Sequence, residues 1–176
     1  AWVTRWLPAV PQGGTLLDVA CGRGRHIGAA VERGYRVTAI DRDQSANAFA
    51  GNAAVELIEA DLETPAGWPL GGRRFDGVIV VNYLHRPILA AIAAAVSPAG
   101  ALLYETFAVG NEAFGRPRNP DFLLRPGELL TATAPALMPI AFETVRLTDP
   151  DRLVQRLLAV GPGHAWLSDP SSQPSF

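Results

Sequence analysis

The chain has 176 residues, with 15 basic and 17 acidic side chains, a formal net charge of −2 and 48% hydrophobic residues. That length suits one domain with a real core, and the near-neutral balance supplies no basic field for holding nucleic acid or an anionic membrane, which favours a small-molecule substrate. The single Cys21 excludes an internal disulfide framework, and no C-x-x-C or H-E-x-x-H spacing exists to hold zinc.

All 15 basic residues are arginine, a compositional bias from which no function follows. No apolar run approaches the ~20 residues that span a bilayer, and no charged-then-apolar leader opens the chain. Together with the lone cysteine this reads as a soluble, cytoplasmic protein. The first residue is Ala1 rather than Met, so residues upstream are expected to have been removed.

In chain order, Trp2 and Trp6 with Val3 between them fit the apolar face of a short N-terminal helix. Short apolar or β-branched runs follow at 15–20, 36–40, 55–60, 75–81 and 101–107, several of them continuous, as in strands covered on both faces. Helices are predicted between them at 24–34, ending in Gly34, at 44–52, and at 86–100, with Pro87 in the first turn and a stop at Pro98 and Gly100. Residues 62–74 can hold barely a helical turn. The alternation predicts a doubly wound α/β sheet.

Beyond residue 107 the pattern changes. A polar stretch rich in Gly, Pro and Asn runs from 108 to 125, long enough to be a functional loop. A helix is predicted at 126–134. Segments 140–147 and 152–160, separated by the turn signal TDPD, suggest a terminal hairpin, although the second is also compatible with a helix. The domain is expected to end near 160, with 161–176 a loosely held tail.

The stretch from Leu16 to Asp43 carries the chemistry: a strand ending in an acid, a Gly-rich turn, a helix, and a second strand ending in an acid. An open α/β sheet holds an adenosine-containing cofactor beyond its strand ends in this way. Gly22 and Gly24 let backbone approach a ligand, and the Asp41 carboxylate can accept both ribose hydroxyls. A dinucleotide fingerprint needs G-x-G-x-x-G, but its third position here is Ile27. Asp18, leading the turn, would repel a pyrophosphate and attract an ammonium.

The run Asp-x-Ala-x-Gly-x-Gly from Asp18 to Gly24 resembles the first motif of class I S-adenosylmethionine-dependent methyltransferases, Asp/Glu-x-Gly-x-Gly-x-Gly, with Ala20 where the family usually has Gly. The resemblance covers roughly residues 14–160 and is closest to small bacterial tellurite-resistance and thiopurine types. It implies a mostly parallel seven-stranded sheet with a C-terminal antiparallel hairpin, a Rossmann-like methyltransferase fold. It also implies S-adenosylmethionine as cofactor and S-adenosylhomocysteine as product. By the same resemblance Asp61 would accept from the adenine amino group, the Leu62 amide would face the adenine ring, and Asn82 would lie near the methionyl part. Ala20 and Arg42 join this cofactor set. Arg25 or His26 could meet the methionine carboxylate, or simply form a solvated face.

Methyl transfer is an in-line displacement at a sulfonium, so the protein need only position a nucleophile ~3 Å from the methyl carbon, exclude water and, where required, remove a proton. No metal is demanded. Candidate groups cluster at the ends of the fourth and fifth strands. His85 could act as a base or cap the helix at Pro87; Glu105, in an apolar strand, needs a partner or a role; Tyr104, Tyr83 and Phe107 fit a pocket or a core. Cys21 reads as a small buried turn residue. The 108–125 loop could close as a lid.

The competing readings are an NAD-dependent oxidoreductase, which Ile27 and Asp18 oppose, and a non-catalytic S-adenosylmethionine-binding module. A nucleic-acid methyltransferase is disfavoured, because the run NYLH keeps Asn82 but lacks the prolines that present a flipped base.

Overall fold

The computed structural model describes residues 2–45, 47–134 and 136–174. Ala46, inside the helix expected at 44–52, and residues 175 and 176, at the end of the expected tail, lie outside the described residues. Seven strands form one sheet: β1 (Thr15–Val19), β2 (Arg36–Asp41), β3 (Val55–Glu59), β4 (Phe75–Val81), β5 (Val96–Phe107), β6 (Met138–Leu147) and β7 (Arg152–Val160). Their order is β3-β2-β1-β4-β5-β7-β6. The first five are parallel, and β7 runs antiparallel between β5 and β6. The segment at 152–160 is therefore a strand, and the terminal hairpin is present.

Both faces of the sheet are covered, which is why β1 and β4 read as continuous apolar runs. On one face Leu16, Ile79 and Leu103 pack against α1 (Trp2–Trp6), α2 (Ile27–Glu32) and α5 (Ala165–Ser168). On the other, Leu17, Val80, Leu102 and Tyr104 pack against α3 (Leu89–Ala94) and α4 (Glu128–Thr133). Each fully buried Leu or Ile contributes roughly 1.5–3 kcal/mol. The helices are short, and among the described residues none is long and apolar enough to cross a membrane.

Three expectations need correction. The helix at 44–52 is a run of turns among the described residues. Asn47 Oδ1 accepts from Phe49 N at 3.0 Å and Asn52 Oδ1 from Ala54 N at 2.9 Å, so side chains satisfy donors that a helix would otherwise bond. The helix at 86–100 ends at Ala94, and Pro98 and Gly100 lie inside β5 instead. Pairing there slips between Phe75↔Val96 and Gly77↔Ala101, an irregularity that accommodates the proline.

The third correction concerns the tail. Its first part, 161–168, is packed: Gly161 N donates to Gly100 O at 2.9 Å and Gly163 N to Pro98 O at 2.8 Å. His164 is buried, with Nε2 2.7 Å from Ala9 O and Nδ1 accepting from Trp166 N at 3.2 Å. Trp166 is buried and edge-on to Trp6 at 6.5 Å. Three long-range hydrogen bonds and one indole secure a helix of four residues.

Candidate active site

The five parallel strands end on one edge of the sheet, and β1 and β4 are neighbours whose following chains leave in opposite directions. Such a switch point opens a crevice. The turn after β1 fills it with left-handed backbone: φ is +54° at Ala20, +56° at Gly22 and +83° at Gly24. A Cβ on Gly22 would meet nothing within 4 Å, so this residue faces open space. A Cβ on Gly24 would lie 2.9 Å from Ile27 Cδ1 and 3.0 Å from Phe49 Cδ2. Gly24 thus serves helix packing, contrary to the expectation that it frees room for a ligand. Ala20 holds a conformation that costs an L-residue roughly 1–2 kcal/mol.

Asp18 lies at the end of β1, only 2% exposed, and its Oδ2 has no hydrogen-bond partner. Burial pushes its carboxyl up to about 7, the Arg25 guanidinium pulls it down and the Asp41 charge adds to the rise. A buried oxygen left open beside a Gly-rich turn fits a cationic donor. Asp41, at the end of β2, accepts from Gly22 N at 2.8 Å through Oδ2 and from Asp43 N at 3.3 Å through Oδ1. It therefore fixes the turn while remaining at the cleft wall.

That cleft, about 340 Å³, is lined by Ala20, Asp41, Arg42, Ala60, Asp61 and Leu62, with Glu63 and Tyr83 on its far side. Asp61 Oδ1 accepts from Glu63 N at 2.9 Å, which holds the loop in a turn, and Leu62 is buried. Residues separated by some forty positions thus meet on one wall: Ala20, Asp41, Arg42, Asp61 and Leu62. Arg25 is exposed at the turn. His26 Nε2 is buried without a hydrogen-bond partner, and burial, then the Arg25 charge, lowers its pKa to about 4, so the ring is neutral and brings no charge to a carboxylate. Burial, followed by the Asp18 charge, pushes the Cys21 thiol up to about 12, which removes it as a nucleophile.

A second cleft of about 280 Å³ opens beyond Tyr83, between Asn82, Leu84, Thr106, Phe107 and Phe122. Glu63 and Tyr83 belong to both clefts, so the two are continuous. Asn82 is exposed and left-handed, φ +58°, a conformation Asn tolerates well. The Tyr83 hydroxyl is buried without a close hydrogen bond, with the Glu63 carboxylate nearby. Burial raises its pKa, helped by the Glu63, Asp61 and Asp41 charges and by a hydrogen-bonding interaction with Glu63, and keeps it protonated. Glu63 escaped the sequence reading; its place directly after Asp61 and Leu62 was the available signal.

The expected catalytic groups lie elsewhere. Glu105 is 6% exposed, and its Oε2 accepts from Arg156 Nε at 2.7 Å, with Arg152 Nη2 3.8 Å from Oε1. Arg156 also donates to Glu143 at 3.0 Å and stacks 5.4 Å over the Trp2 ring. This carboxylate holds β5 to β7 rather than facing a substrate. Tyr104 is fully buried, and its hydroxyl donates to Tyr83 O at 2.9 Å; it positions the β4 end. His85 lines a third groove with Pro65, Trp68 and Pro87, which shares Leu62 and Glu63 with the first cleft, and its side chain makes no cap hydrogen bond.

The 108–125 loop is tied down at several points. Ala108 bridges Leu124, and Leu124 N donates to Phe107 O at 2.9 Å. Asn111 Oδ1 accepts from Leu153 N at 3.0 Å. Arg86 pairs with Glu128 at 2.6 Å and donates to Asp121 O at 2.7 Å and Leu123 O at 2.9 Å. The loop places Pro117 and Phe122 as a wall of the second cleft. Among the described residues no group of His, Cys, Asp and Glu could hold a metal ion.

Comparison with known proteins agrees with this geometry. Residues 16–100 match the family described as a methyltransferase domain. YqeM of Bacillus subtilis strain 168, named for methyltransferase activity, is 30% identical over 91 residues, which is 46% of this chain and 36% of that protein. The match thus spans about a third of this curated relative's length. A TehB-like S-adenosylmethionine-dependent methyltransferase from Corynebacterium glutamicum superposes with a TM-score of 0.65 at 18% identity, covering 90% of this chain and 86% of its own. The 1,6-didemethyltoxoflavin-N1-methyltransferase of Burkholderia thailandensis, solved with its substrate and S-adenosylhomocysteine, gives 0.58 at 20% identity over 90% and 78%. Residues 16–100 thus match a methyltransferase domain, and the chain has the fold of the S-adenosylmethionine-dependent methyltransferases on which it superposes.

Proposed function

We propose that the chain transfers a methyl group from S-adenosylmethionine to a small-molecule acceptor by in-line displacement. The observation that carries this reading is the cleft in which Asp41, Asp61 and Leu62 share one wall, with the open Asp18 oxygen buried at the end of the neighbouring strand. The bound cofactor supplies a methyl carbon already activated by a sulfonium charge. Asp41 would accept the ribose hydroxyls, Asp61 the adenine amino group, and the Leu62 amide would face the ring. Asp18 would hold the ammonium and Arg25 the carboxylate, while Asn82 would border the methionyl part. None of these roles needs a metal ligand or a nucleophilic side chain.

The chain's remaining work is positional. Glu105 and Tyr104 are bound within the fold and His85 stands outside both clefts, so the acceptor brings its own nucleophile, and its proton leaves to solvent or to Glu63. The toxoflavin-type neighbour, with its bound small substrate, supports an acceptor of this size. Incubating the protein with methyl-labelled S-adenosylmethionine and a size-fractionated small-molecule extract tests the reading. Label in an extract component, with S-adenosylhomocysteine formed in step, is the expected result; cofactor binding with no transfer would contradict it.

A further inference from the structure

The second cleft has a chemical character of its own. Its walls are Leu84, Phe107, Pro117 and Phe122, and its polar atoms come from Asn82, Tyr83 and Thr106. Among the described residues the only charged side chain in the lining is Glu63, an acid at the junction with the cofactor cleft. Arg116 and Arg118 flank Pro117 on the loop, but both are exposed and neither belongs to the lining. An anion entering this space would shed water beside a carboxylate with no cation in the lining to meet it, which is costly. A neutral molecule meets apolar walls, and the buried Tyr83 hydroxyl, which interacts with the Glu63 carboxylate without a close hydrogen bond, offers one donor at the junction once a ligand moves it.

The size agrees. At about 280 Å³ the cleft falls below drug-sized pockets, which span ~300–1,000 Å³. Phe122 is 44% exposed at the rim, an apolar edge that an apolar ligand would cover. Resting on the methyltransferase reading, we infer that this second cleft is the acceptor subsite, and that it takes a small, uncharged, largely apolar molecule with one polar nucleophilic atom while rejecting carboxylates and oxyanions. Tyr83, shared by both clefts, orients that atom toward the cofactor side.

Ligand-observed NMR on the protein saturated with S-adenosylhomocysteine tests this without knowledge of the natural acceptor. Phenol and benzoate are the probes, and selenite is the competitor. Phenol is expected to bind about tenfold more tightly than benzoate, and selenite should not displace it. Because Phe122 lies at the exposed rim, Phe122→Asp should fold; it should weaken phenol about tenfold and leave S-adenosylhomocysteine affinity within about twofold. Glu63→Gln, with cofactor affinity measured in parallel, should narrow the gap between phenol and benzoate. Benzoate or selenite binding as well as phenol, phenol binding indifferent to Phe122→Asp, or no phenol binding to the loaded protein would each overturn the inference. If the wild type fails to bind S-adenosylhomocysteine at all, the methyltransferase reading falls first and this one with it, so the two failures are told apart.

Discussion

The two halves of the strand-end edge use the same residue types for opposite purposes. At the ends of β1, β2 and β3 the acids form no ion pair among the described residues: Asp18 Oδ2 has no hydrogen-bond partner, and Asp41 and Asp61 line a cleft while their carboxylates accept from backbone amides, Asp41 from Gly22 and Asp43 and Asp61 from Glu63. Around β5 and β7 the charges are consumed by one another: Glu105 by Arg156 and Arg152, Glu128 by Arg86. A charged residue at a strand end is therefore no sign of chemistry by itself. What distinguishes the halves is whether the partner already lies in the protein.

The largest effect that would break this contrast is on stability. Glu105→Ala leaves the partly buried Arg156 with Glu143 as its carboxylate partner and should cost about 1–3 kcal/mol, which lowers the melting temperature by roughly 2–12 °C. Affinity for S-adenosylhomocysteine, measured on the folded fraction, should stay within about threefold of wild type. A large loss of affinity with stability intact would place Glu105 back in the site.

The opposite half should respond to pH. Because burial raises the Asp18 carboxyl from 3.8 to about 7, its proton is held more tightly in the folded chain than in the unfolded one. Between those two values the unfolded chain ionises first, so Asp18 makes stability fall as pH rises, and Asp18→Asn should flatten that slope in thermal melts. Binding of an ammonium requires the ionised form, so cofactor affinity should rise by about tenfold from pH 6 to 8 with close to one proton released. Calorimetry in buffers of different ionisation enthalpy reads both quantities, and Asp18→Asn should show neither.

The smallest expected effect is at Ala20, whose φ of +54° suits glycine better than alanine. Ala20→Gly should relieve strain at the expense of chain entropy, a net stabilisation of about 0.5 kcal/mol readable in denaturant melts.

How much of this was legible in the sequence follows the same division. The strands of the parallel half announce themselves as continuous apolar runs, and Asp18, Asp41 and Asp61 stand at their ends by local spacing. The failures are long-range or side-chain driven. The partner of Glu105 lies 51 residues later on β7, and no local pattern reveals it. Residues 161–168 look like tail by composition, yet His164 reaches Ala9 across 155 positions. At 44–52 helix-compatible composition loses to the Asn47 and Asn52 side chains, which compete for backbone donors. The second cleft is built by Glu63, Tyr83, Thr106 and Phe122, whose adjacency only the folded sheet creates.

The central claim is that the open acids of the first half hold an adenosine cofactor through Asp41. Calorimetric titration with S-adenosylmethionine, S-adenosylhomocysteine and NAD, on wild type and Asp41→Ala, tests it most directly. The account predicts binding of the first two in the micromolar range and none of NAD, with a loss of about 100-fold in the variant as two charge-assisted hydrogen bonds disappear. Equal affinity of wild type and Asp41→Ala, or binding of NAD in preference to both, would contradict it.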